Sequence, residues 1–156
     1  MNFGSDNVYG VHAAIMDAVV AVNSGTQNSY GTDDYTRKAQ EQLCALFECE
    51  LDAFLVLTGT AANSLCLSAM TPPYGAVICH GDAHILVDEC GAPELFTGGA
   101  KLIGINDPLG KLRLDSIEKV LSSFTRGEHD PKPAAVSVTQ ASELGTVYSV
   151  DEISAI

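Results

Sequence analysis

The rhythm of apolar and polar positions changes near residue 52. Before it, apolar residues recur at helical spacing. Residues 11–23 (VHAAIMDAVVAVN) put Val11, Ile15, Val19 and Val22 near one face, and Ser24-Gly25-Thr26 ends the segment. The polar, turn-rich stretch 26–33 (TQNSYGTD) predicts a surface loop. Asp33 or Asp34 is placed to cap a second helix reaching about Cys49, with Ala39, Leu43, Leu46 and Phe47 as its apolar stripe. From residue 52 the apolar positions come in short unbroken runs. DAFLVL (52–57) has the look of a buried strand and is followed at once by Thr58-Gly59-Thr60 and a helical AANSLCLSAM. AVIC (76–79), HILVD (84–88), KLIGI (101–105) and AAVSVT (134–139) predict further short strands. Asp115 and Glu118 stand at capping-box spacing and predict a helix through about Phe124; Ser149 and Glu152 are spaced alike and open another. Strands alternating with helices predict an α/β fold with a mainly parallel sheet. A natural domain seldom stops one turn into a capped helix, so the chain reads as truncated.

Composition narrows the function classes. A chain of 156 residues predicts one domain, and 46% hydrophobic with 18% charged residues is enough for a buried core. Eight basic against 20 acidic side chains give 8 − 20 = −12, and the basic residues are scattered. Nucleic acid and anionic membrane are therefore excluded as partners, because phosphate contacts need clustered Lys and Arg. No apolar run approaches the ~20 residues of a membrane span. The opening MNFGSDNVYG has neither the positive nor the apolar region of a secretory signal. Cys44, Cys49, Cys66, Cys79 and Cys90 form no C-x-x-C pair, which predicts reduced thiols in a cytoplasmic protein.

Two stretches carry candidate chemistry. Thr58-Gly59-Thr60-Ala61-Ala62-Asn63 joins an apolar run to a helix, where unpaired backbone N–H groups and the helix dipole favour an anion. Gly59 lets backbone approach a ligand, and Thr60 adds a hydroxyl. The stretch is neither a P-loop nor G-x-G-x-x-G, and an ordinary Thr-capped turn reads the same way. His80-Gly81-Asp82-Ala83-His84 with Asp88-Glu89 is the densest polar set. In a strand, alternation would line His80, Asp82 and His84 along one face as metal ligands, although Gly81 and the turn character of HGD weaken that geometry. Alternatively His84 is a flat platform stacking on a planar cofactor with Glu89 as its polar partner, or a partly buried histidine beside a solvated acidic turn.

Taken in order, SDN near the start, YG before a capped helix, TGTAAN, AHI-x-x-x-E-x-G and the late TQASELGTVYSVDEI resemble the N-terminal part of the low-specificity threonine aldolases. These are fold-type-I enzymes using pyridoxal 5′-phosphate (PLP), close to the β-eliminating lyases. The resemblance runs from Ser5 to Ile156 and implies a three-layer α/β fold with the mainly parallel sheet of the PLP-dependent transferase large domain. Residues 1–156 would be the N-terminal segment and part of that domain, without the Schiff-base half and the C-terminal small domain. It further implies that Gly59 and Thr60 hold the cofactor phosphate and that His84 stacks on the pyridine ring and assists proton transfer. Ser5 would help hold the substrate carboxylate. Tyr30 would reach the active-site region across a subunit interface, and Glu89 would be an acid close to the cofactor. The implied enzyme is a lyase of amino-acid metabolism, a homodimer or homotetramer, cleaving L-threonine or L-allo-threonine to glycine and acetaldehyde. A β-eliminating amino-acid lyase and a non-catalytic phosphate-binding module are the alternatives.

The chain departs from the family at Thr139-Gln140-Ala141-Ser142-Glu143, where many members carry an imidazole in an E-N-T-H-N-like stretch. None of Lys38, Lys101, Lys111, Lys119 or Lys132 has the Ser-Lys setting of the family's Schiff-base lysine. Efficient turnover needs that lysine, so residues 1–156 alone are expected to be inactive.

Overall fold

A computed structural model of the chain describes Gly4 and residues 6–156, which fall into two units divided after Phe54. The first holds a 3-10 turn at Asp6–Val8 and two helices, α1 (Ala13–Val22) and α2 (Asp34–Phe47). Asp33 caps α2 by accepting from the N–H groups of Tyr35 and Thr36 at 2.9 and 2.8 Å. Neither helix has a buried residue. Ala39 and Leu43 of the expected stripe are half-buried, but Leu46 and Phe47 are exposed.

The run 52–57 is not a strand. Gln40 of α2 clips its beginning, accepting from the Ala53 N–H at 2.8 Å and donating to the Leu51 carbonyl. Phe54, Leu55 and Leu57 are exposed. An extended apolar run becomes a strand only beside another strand edge, and among the described residues this one pairs with none.

The second unit is built on three parallel strands, β1 (Gly75–His80), β2 (Lys101–Ile105) and β3 (Lys132–Val136), in the order β2-β1-β3. Central β1 is buried along its whole length, as its unbroken apolar sequence requires. Ala76 lies opposite Lys101 and His80 opposite Ile105; the pairing with β3 slips at Ala76/Val77. β3 begins and ends earlier than the 134–139 expected. Helix α3 (Gly59–Met70) covers one face, where Leu67 packs with Val77, Cys79, Ala83 and Ile85. Helix α6 (Leu114–Ser123) covers the other, where Ile117 and Leu112 pack on Ile78. Adjacent residues of one strand thus face two helical layers, which makes three layers in all.

The stretch 84–88, expected as a strand, begins a short helix, α4 (His84–Val87), followed by α5 (Ala92–Phe96). The cause is the turn before it. The Ala83 N–H donates to the His80 carbonyl at 3.0 Å, and the Ala83 carbonyl then accepts from Leu86 and Val87. The two capping boxes also part company. At α7 (Val150–Ala155) Ser149 and Glu152 form theirs. At α6 the box from Asp115 and Glu118 does not form: Arg113 is the N-cap and pairs with Asp115 at 3.0 Å. Asp107 holds that end instead, accepting from the Arg113 N–H at 2.9 Å and the Ser116 hydroxyl at 2.6 Å.

Candidate functional site

In parallel sheets ligands gather beyond the carboxyl ends of the strands, where connections diverge to either side. Here that point follows β1, whose neighbours β2 and β3 are reached in opposite directions. The expected site residues of the second unit stand at this end.

Gly59 and Thr60 are the first two residues of α3. The Thr58 hydroxyl caps the helix by accepting from the Ala61 N–H at 3.1 Å. Nothing lies within 4 Å of the place a Cβ would take on Gly59, so this helix start is open to an incoming group. His84 opens α4, with its side chain 48% exposed, while the side chain of Glu89, in the turn beyond, is fully buried. Glu89 Oε1 lies 2.9 Å from His84 Nδ1 and accepts from Asn63 Nδ2 at 2.7 Å. Two hydrogen bonds therefore tie the first turns of α3 to the imidazole. That hydrogen bond to Glu89 holds the His84 pKa above the ordinary 6.5, helped by the charges of Glu89, Asp88 and Glu143. Glu89 Oε2 is buried with no partner among the described residues.

His80 and Asp82 do not converge with His84. Because His84 starts a helix, the alternation that would align the three is absent. His80 is committed to backbone, with Nδ1 accepting from the Asp82 N–H at 3.1 Å and Nε2 at 2.9 Å from the Asp107 carbonyl. Tyr30 belongs to the first unit, fully exposed in a turn with φ 60° and followed by Gly31 at φ 74°. Ser5 lies outside the described residues.

In the stretch expected to carry the family imidazole, Gln140 is spent on the loop itself. Its amide accepts from the Tyr148 N–H at 2.9 Å and donates to the Tyr148 carbonyl at 3.1 Å. The buried Tyr148 hydroxyl accepts from the Leu112 N–H at 2.5 Å, so this loop is anchored near the start of α6. Sequence reasoning assigned Asn63 no role, yet it is the residue that links the helix start to Glu89. Its only signal was its place four residues after Gly59, one helical turn along.

An open helix start with spare N–H donors and a half-exposed imidazole tied to it suit an anionic group carrying a flat ring, as PLP does. No such fit exists for a metal ion: among the described residues, no three His, Cys, Asp or Glu side chains are grouped to hold one.

A family described as beta-eliminating lyase matches residues 2–156. The chain is 43% identical over 155 residues to the low specificity L-threonine aldolase of Pseudomonas aeruginosa, covering 99% of this chain and 44% of that protein. The enzyme of the same description from Pseudomonas sp. strain NCIMB 10558 gives the same identity and coverage. A structure of Leishmania major threonine aldolase superposes with a TM-score of 0.85 at 32% identity, covering 94% of this chain and 42% of the other. The chain thus spans less than half the length of the relatives it matches, and its α/β architecture is that of the threonine aldolase structure.

Proposed function

The chain belongs to the beta-eliminating lyase family, and on that premise we propose that it forms the phosphate-binding and ring-stacking part of a PLP-dependent threonine aldolase. The reaction proposed for the whole protein is cleavage of L-threonine or L-allo-threonine to glycine and acetaldehyde. When bound, PLP supplies an electron sink for the pair released as Cα–Cβ breaks.

The residues of this chain divide the remaining work. Gly59 and Thr60 bind the phosphate through backbone N–H groups and a hydroxyl at the start of α3. His84 lies against the ring and can take up or hand over a proton at Nε2. Ser5 orients the substrate carboxylate, and Tyr30 approaches from a neighbouring subunit of a homodimer or homotetramer. We further propose that residues 1–156 comprise an N-terminal segment and part of the large domain, and that the protein works in the cytoplasm. Among the described residues, no helix is long and apolar enough to cross a membrane.

The observation that carries this reading is the pair of hydrogen bonds joining Asn63 of α3 to Glu89 and Glu89 to His84, which holds the anion site and the imidazole in one framework. Lys111, engaged with Glu152 and the Val147 carbonyl, takes no part in it. The experiment is an assay of the whole protein with PLP and each threonine isomer. Equimolar glycine and acetaldehyde are expected. Pyruvate and ammonia from a β-substituted amino acid, with no acetaldehyde from threonine, would move the assignment to the β-eliminating lyases that give the family its name.

A further inference from the structure

We infer that Asn63 and Glu89 are positioning residues that fix the ring plane and the tautomer of His84, leaving Nε2 as the nitrogen with the free lone pair. Glu89 Oε1 already accepts from the Asn63 amide at 2.7 Å while lying 2.9 Å from His84 Nδ1. If Glu89 is ionised, both of its oxygens are acceptors only, and Nδ1 must carry the hydrogen. The carboxylate form therefore selects the Nδ1–H tautomer and leaves Nε2 unprotonated in the neutral ring. The hydrogen bond that one ring nitrogen makes decides what the other can do.

Burial makes the selection stringent. The Glu89 side chain is fully buried, so water does not compete for Oε1, whereas the imidazole is 48% exposed and would rotate freely without its anchor. Asn63 sits on the second turn of α3, so the orientation of the ring is set by the same helix that opens at Gly59. The charged groups acting on the ring are Glu89, Asp88 and Glu143, all acidic, and each favours its protonated form. That the oriented Nε2 serves a cofactor or substrate rests on the aldolase reading above. The tautomer does not.

The test is 15N NMR of the histidine rings in the whole protein, before and after PLP is added, with His84→Gln identifying the resonance. Above its pKa, His84 is expected as the Nδ1–H tautomer with an unprotonated Nε2. An Nε2–H tautomer in the wild-type chain overturns the proposal without any further variant. Glu89→Gln keeps the shape of the side chain and removes its charge, and the His84 pKa is expected to drop toward 6.5. An unchanged pKa overturns the assignment of Glu89, a readout that a purely structural role would not move. The Nδ1–H tautomer in a whole protein that fails to bind PLP upholds the positioning pair and refutes the cofactor reading alone.

Discussion

His84 and Cys79 sit on opposite sides of the same turn, and their surroundings push them to opposite uses. The Glu89 carboxylate favours the protonated imidazole, so the folded pKa of His84 lies above 6.5. A raised pKa means that the folded state holds the proton more tightly than the unfolded chain. The resulting stabilisation is complete below pH 6.5 and is lost as pH rises through the folded value. The thermal midpoint of the wild type should therefore exceed that of Glu89→Gln most at pH 6 and by a shrinking margin toward pH 8, measured by circular dichroism. A margin that grows over this range would show that the pairing works the other way. Cys79, by contrast, is 0% exposed on β1, and burial pushes its thiol up to about 11. Little thiolate exists near neutrality, and thiolate is the reacting form. In a native labelling experiment with a maleimide, Cys49, Cys66 and Cys90 are exposed and should react, while Cys79 should be modified only after denaturation.

At the scale of elements, close approach decides more than propensity. Gly104 of β2 has the Gly81 Cα only 3.0 Å from where a Cβ would stand, and a Leu86 methyl at 2.8 Å. The turn after β1 can lie against β2 because Gly104 lacks a side chain at this crossing, while a Cβ on Gly81 would meet the side chain of Asn106 just past β2. Gly104→Ala should cost about 1–3 kcal/mol by overpacking, read as a lower urea midpoint with unchanged slope. A variant as stable as the wild type would mean that the turn can shift outward. Such a shift would also move His84, whose helix begins three residues after Gly81. The HILVD stretch shows how an apolar pattern misleads on the element scale. Three consecutive apolar residues fit a buried strand or one helical turn equally well, and the Gly81-centred turn settled it in favour of helix.

At the scale of the molecule, the surface is unusual for 16.4 kDa. Helix α1 buries none of its residues, and Val19, Val20, Phe54, Leu55 and Leu57 are all exposed. Apolar surface on this scale is rarely left to water, and in a chain spanning 44% of its relative's length the rest of the whole protein can cover it as well as a neighbouring subunit. Light scattering on the whole protein should return a multiple of the single-chain mass, and a monomer at micromolar concentration would remove the proposed homo-oligomer. Much of the second unit was legible in the sequence. The unbroken apolar run of β1, the KLIGI of β2, the Thr58 cap and the Ser149–Glu152 box are local signals, and local chemistry determines them. The order of the motifs along the chain was enough to identify the family, since order and spacing belong to sequence. What tertiary structure alone decided is pairing between distant positions. The run 52–57 found no strand edge among the described residues, Asp107 displaced the box expected at Asp115, and Asn63 met a carboxylate 26 residues away. No local pattern records such meetings, because each depends on where the rest of the chain has already placed its partner.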